Sequence, residues 1–219
     1  MRAMFHSIAP RYDFITRAFS YGMDKRWKRA AVDRIDLPAD ARVLDLACGT
    51  GDFSFLVRTR YPRSRPVAAD ITERMLQLAR ERGLHDAVCG DAGRLPFADA
   101  SFDAVFIGYG LRHFPNLRGA VEEIRRVTRP GGFLVSLDFF LPSNALLRAG
   151  YLAYLYAQGT FWGFVLHRRP RTYTYIPDSL RSFVSVAEFT RLLRGVGYGE
   201  IHQESYILGG IGLHWAAKQ

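Results

Sequence analysis

Asp45, Gly49, Thr50 and Gly51 stand close together in "VLDLACGTGDFSF", Val43–Phe55, where an acid sits inside an apolar run that breaks at Gly-Thr-Gly. Glycines at such a break let the backbone approach a ligand that any Cβ would push away. A helix starting there presents free N–H groups. A tight strand-to-helix turn leaves the same pattern, so the turn alone names no ligand. Asp70 closes the next apolar run, "PVAAD". It lies about twenty residues downstream, the spacing at which an acid accepts hydrogen bonds from ribose hydroxyls. An aspartate that merely caps the next helix would look alike. Asp91 and Ala92 follow in "CGDAGRLPFADASFDAVF", where a carboxylate after a third strand can accept an adenine amino group.

Two details separate the nucleoside ligands. A dinucleotide fingerprint wants a third glycine or alanine for close helix packing, and here Ser54 holds that place. Asp45 lies within the strand, where a nicotinamide enzyme carries an apolar residue. A carboxylate there suits a ligand with a positive amino group, which S-adenosyl-L-methionine has and NAD lacks. Acid–glycine loop, ribose acid, "GDA" and "LPF…SFD" together make the pattern of class I S-adenosyl-L-methionine-dependent methyltransferases. The candidate cofactor residues are Asp45, Ala47, Gly49, Thr50, Gly51, Asp70, Ile71, Met75, Asp91, Ala92 and Gly108. No metal site is expected, because Cys48 and Cys89 match neither a zinc spacing nor a disulfide framework.

These residues need a sheet to hold them. Strands are expected near 42–46, 66–69, 86–89, 102–107, 132–138, 200–205 and 212–217, with helices around 53–60, 72–82, 117–128 and 186–193. That alternation predicts an α/β chain with a Rossmann-like class I methyltransferase fold. Its seven-stranded sheet would be mostly parallel, with helices on both faces and an antiparallel last strand. Thr72 reads as the cap of its helix. "RPGG", 129–132, reads as a stop before the fifth strand. One domain is expected over 1–219, with an N-terminal helical cap at about 1–38 and a helical lid at about 140–180.

The 219 residues carry a formal net charge of +9, which invites nucleic acid or an anionic membrane surface. An arginine-rich soluble enzyme has the same balance. The basic residues interleave with no recognisable nucleic-acid motif. "GYGL" also stands where a base-flipping enzyme would carry an Asn-Pro-Pro-Tyr-like element, so no nucleic-acid partner is expected. Residues 149–166 carry no charge, but tyrosines, glycines and Gln158 make them a poor membrane span. They read as an interfacial segment. The opening residues lack a signal-peptide core, so a cytoplasmic location is expected, at the inner face of the membrane if lipid is bound. Lys25, Arg26, Lys28 and Arg29 with Trp27, and "HRRPR", are the basic groups that would meet lipid. The oligomeric state stays open, a homodimer included.

The chain resembles the quinone-biosynthesis C-methyltransferases, which methylate demethylmenaquinol or the benzoquinol precursor of ubiquinone. "MFHSIAPRYD", "VLDLACGTGD", "GYGLRHF", "TYTYIPDSLRSF" and "GGIGLHWAAK" carry the resemblance nearly end to end. It implies cofactor contacts at Thr50, Asp70, Asp91 and Ala92, and a lipophilic quinol or other aromatic small molecule as acceptor. Gly108 stands where the family commonly has serine, His6 where it has aspartate, His113 where it has asparagine and Asp138 where it has glutamate. These departures keep methylation of another phenolic acceptor as an alternative. On the substrate side Arg112 can stabilise a phenolate, His113 has the pKa range of a general base and Asp138 can accept a quinol proton. Tyr12 would close over the site from the N-terminus. Each has a bland counterpart: a structural ion pair for Arg112, and packing, capping or a solvated strand end for the others.

Overall fold

The computed structural model describes residues 12–219, with side chains from Phe14 onward. Two helices, α1 (Tyr12–Phe19) and α2 (Asp24–Asp33), precede the sheet. The central units are β1 (Arg42–Leu46), α3 (Asp52–Arg60), β2 (Arg65–Asp70), α4 (Glu73–Glu81), β3 (Ala87–Cys89), β4 (Phe102–Gly108), α5 (Leu117–Val127) and β5 (Thr128–Phe139). A long helix α6 (Ala145–His167) and a short α7 (Tyr175–Leu180) come next. The chain ends with α8 (Val186–Val196), β6 (Tyr198–Tyr206) and β7 (Ile211–Lys218).

The strand order is β3-β2-β1-β4-β5-β7-β6. The pairs from β3 through β5 are parallel, and β7 runs antiparallel to both of its neighbours. The expected seven-stranded sheet with one reversed strand near its end is therefore what forms. After β1 the chain turns to β2 on one side, whereas β4 lies on the other, so the order reverses at the carboxyl ends of β1 and β4. In open α/β sheets that reversal opens a crevice for ligands.

The inner strands β1, β2, β4, β5 and β7 are mostly buried on both faces, which is why they read as near-continuous apolar runs, whereas the edge strands β3 and β6 are partly exposed. Val43, Ala104, Phe106 and Leu137 face the side covered by α2 and α3. Leu44, Val105, Ile107 and Leu134 face α5 and α8. Asp45 alternates with Val43 and therefore points beneath α3. Helix starts follow side-chain chemistry: Asn116 accepts the Gly119 amide, Asn144 those of Leu146 and Leu147, and Ser185 with Glu188 forms a capping box.

Two local expectations are met only in part. "RPGG" does not stop the chain before β5. The strand already begins at Thr128, and the motif forms an irregular stretch inside it, with Gly131 at φ +74 and a register shift opposite Phe102/Ala104. Pairing with β4 holds Thr128, lapses across these residues and resumes at Phe133. Thr72 occupies the cap position without making a side-chain cap bond. Its amide instead donates to Asp70 Oδ1 at 2.8 Å.

Candidate active site

The glycine turn places β1's acid and α3's first turn against each other. Gly51 adopts φ +88, in the left-handed region that side chains rarely enter, and the chain passes from it straight into α3. That reversal brings Ser54 over Asp45: its amide and its hydroxyl both donate to Asp45 Oδ2, at 2.9 and 2.8 Å. The serine that replaces a third glycine is thus the partner of the acid. Burial pushes the Asp45 carboxyl up to about 7, the nearby Asp52 charge adds to this, and the Ser54 hydrogen bonds and Lys28 work against it.

Asp45, Ala47, Thr50 and Gly108 line one crevice together with Lys28, Cys48, Asp52, Phe53 and Tyr109. Asp70 joins the turn from the end of β2, accepting the Gly49 amide at 3.0 Å on Oδ2. Burial raises its carboxyl against the pull of those amides. Asp91 is exposed beyond β3, where it accepts the Gly93 amide at 2.8 Å, and Ala92 and Met75 are buried. Ile71 is half-buried and follows Asp70 directly. The crevice fits S-adenosyl-L-methionine on its own features. A buried acid, Asp45, lines it, and Gly108 adds no side chain to its wall.

Lys28 and Trp27 were expected on a lipid-facing basic surface, and this is corrected. Trp27 is buried and stacks on Tyr206 at 5.3 Å. The Lys28 side chain is only 7% exposed and its Nζ lies 2.7 Å from Asp52 Oδ2. Lys25, Arg26 and Arg29 remain exposed on α2.

Beyond Tyr109 lies the second group. The Arg112 Nη1 donates to Asp138 Oδ1 at 2.6 Å and to the Tyr109 carbonyl at 3.0 Å. The two side chains are 3% and 0% exposed. Asp138 also accepts the amides of Leu111 (2.7 Å) and Phe139 (2.7 Å). Burial raises its carboxyl while Arg112 draws it down. Asp138 is therefore no solvated strand end. The Arg112 guanidinium lies 5.1 Å from the centroid of Phe139, which packs on Tyr109 at 5.2 Å. His113 neighbours Tyr175 at 6.0 Å. Burial, with the Arg112 charge second, pushes its imidazole down to about 2, so it stays neutral near pH 7. Tyr12 opens α1, but its side chain lies outside the described residues, as does His6.

The family model for the ubiE/COQ5 methyltransferase family matches residues 1–218. The chain belongs to that family. It is a methyltransferase, with S-adenosyl-L-methionine as methyl donor. A relative from Desulfotalea psychrophila, named ubiquinone/menaquinone biosynthesis C-methyltransferase UbiE, is 36% identical, covering 98% of this chain and 89% of its own. A demethylmenaquinone methyltransferase from Thermus thermophilus is 37% identical, covering 96% and 98%. Among solved structures, a SAM-dependent methyltransferase from Thermotoga maritima superposes with a TM-score of 0.70 over the full length of both chains. At 20% identity it speaks for the fold alone.

Sequence reasoning missed Lys28, Cys48, Asp52, Phe53 and Tyr109 as crevice residues. For Lys28 a signal was present. Asp24, Trp27, Lys28, Ala31 and Val32 are the buried residues of α2, and their spacing is that of one helix face.

Proposed function

We propose that the protein methylates a ring carbon of a lipophilic quinol, demethylmenaquinol being the acceptor favoured by the names of its relatives. The observation that carries this reading is Tyr109, which lines the acid–glycine crevice and also packs on the aromatic wall beside the Arg112–Asp138 pair. A donor site and a cationic, aromatic site for a phenol thus share one side chain.

The donor, when bound, supplies a methyl group on a positively charged sulfur. Against so strong an electrophile, positioning can contribute up to ~7–11 kcal/mol in favourable cases. Arg112 keeps its charge at any working pH and cannot take a proton. It lowers the cost of a phenolate beside it, and the ionised oxygen makes the neighbouring carbon nucleophilic. Asp138 holds the guanidinium; its oxygens are already committed to three donors. His113 is too reluctant to charge to act as an efficient base. Water therefore receives the phenolic proton, and later the ring proton whose loss restores aromaticity.

A prenylated acceptor resides in lipid, and α6 supplies the surface to reach it. Phe161, Phe164 and Val165 are exposed at 56, 56 and 51%. Their spacing places them on one stripe that ends in Arg168, Arg169 and Arg171. An apolar stripe turned outward and closed by cations lies along an anionic membrane surface. Among the described residues no helix is long and apolar enough to cross one. In a cell, anionic lipid of this kind faces the cytoplasm.

The test is methyl transfer from isotopically labelled donor to demethylmenaquinol, a demethylated benzoquinol and a simple catechol, with the product's methylated atom identified. A ring-carbon product from a quinol is expected. Methylation confined to a catechol oxygen would overturn the proposal.

A further inference from the structure

Helix α2 turns a lysine inward. Lys28 Nζ lies 2.7 Å from Asp52 Oδ2, 3.9 Å from Asp24 Oδ2 and 5.4 Å from the centroid of the Tyr109 ring. Burying an ammonium costs several kcal/mol unless it is paired, and Asp52 provides that pairing. Asp52 is itself the first residue of α3, directly after the glycine turn. Burial opposes its ionisation, but Lys28 and Arg82 outweigh burial and hold its carboxyl below the usual range. The ion pair therefore ties α2 to the cofactor turn.

That much explains a structural bridge. It does not explain why the ammonium lines the crevice together with Asp45 and Gly108. The methionine half of the donor carries an ammonium and a carboxylate on one carbon. Asp45 suits the ammonium. With Asp45 and Asp52 alone, the crevice would repel the carboxylate. Lys28 is its one cationic lining residue among the described residues, and an ammonium has three donors, so Asp52 does not exhaust it.

We propose that Lys28 is the positioning residue that receives the donor's carboxylate, so that Lys28 and Asp45 read the two ends of a zwitterion. The proposal rests on the donor reading of the crevice. It also gives helix α2 a function: it delivers the cation that lines the crevice.

Calorimetry with three product-side ligands tests it without any turnover. S-adenosylhomocysteine carries both charges, its decarboxylated analogue keeps only the ammonium, and 5′-methylthioadenosine carries neither. Wild-type protein should bind S-adenosylhomocysteine about tenfold or more tighter than the decarboxylated analogue, as expected for one charge-assisted bond. Lys28→Met should remove that preference and leave 5′-methylthioadenosine within about twofold, whereas Lys28→Arg should keep most of it. Equal wild-type affinity for the first two ligands would overturn the proposal even if Lys28→Met fails to fold. So would a Lys28→Met variant that weakens all three ligands alike, the mark of a bridge only. Failure of wild-type protein to bind any of the three would instead overturn the donor reading itself.

Discussion

At the residue scale, the Asp45 carboxyl sits at about 7 because burial outweighs its hydrogen bonds to Ser54. Near neutral pH it is only partly ionised, and attraction for the donor's ammonium needs the ionised form. Affinity for S-adenosylhomocysteine should therefore fall as pH drops through 7, approaching tenfold per unit below it. Calorimetry across that range checks this, and Asp45→Asn should bind more weakly with the dependence gone. Stability runs the other way. The unfolded group loses its proton near ~4, so between ~4 and 7 the folded, ligand-free protein holds the extra proton. This group's contribution to stability then declines as pH rises to about 7 and is flat above. At Arg112, Arg112→Lys should lower kcat by ~10²–10³-fold, as for loss of a preorganised donor, with cofactor Kd unchanged. A matching loss of cofactor affinity would count against its role beside the acceptor. Asp138→Asn should lower stability by about 3–5 kcal/mol, since it leaves a buried guanidinium without its anion; denaturant melts measure this.

At the element scale, the fit of α3 on β4 sets the shape of the crevice. Gly108 has no room for a side chain: a Cβ would lie 2.9 Å from Phe53 Cε2 and 3.3 Å from Cδ2. Phe53 is buried and packs on Phe106 at 5.2 Å, so it has little freedom to withdraw. Gly108→Ser, which restores the family's common residue, should destabilise the protein by about 1–3 kcal/mol through overpacking. Phe53→Leu should cost stability alone yet rescue Gly108→Ser, giving a coupling of about 1 kcal/mol in a double-mutant cycle. Additive losses would show that the two positions do not constrain each other. Pro130, Gly131 and Gly132 have the local preferences of a break and do interrupt the pairing with β4, which holds Thr128 before them and resumes at Phe133 after them.

At the scale of the whole molecule, the proposed membrane contact rests on α6. Its 23 residues make a rod of ~34 Å, with one side packed on the body and an apolar stripe left outside. Phe161→Ser with Phe164→Ser should release the protein from anionic vesicles in flotation. Activity on a short-chain, water-soluble quinol should stay within about twofold, because neither ring lines the crevice. Binding by wild type should weaken with salt, as attraction worth ~1 kcal/mol per basic residue is screened. Retention of the double variant on vesicles would remove α6 as the contact.

The order of strands and helices was legible from the sequence, as was the meeting of Asp45, the glycine turn and Asp70 at the carboxyl ends of β1 and β2. Parallel strands buried on both faces announce themselves as apolar runs, and an acid or a glycine turn inside such a run stands out. Position in the chain also places each of these groups at the carboxyl end of its strand. Only the tertiary structure decided the company of the charges. The spacing in α2 hinted that Lys28 is buried but named no partner until the fold closed Asp52 over it, and Asp138 looked like a free acid until Arg112 reached it from β4's end. Burial and pairing depend on residues far apart in the chain, and periodicity carries no record of those partners.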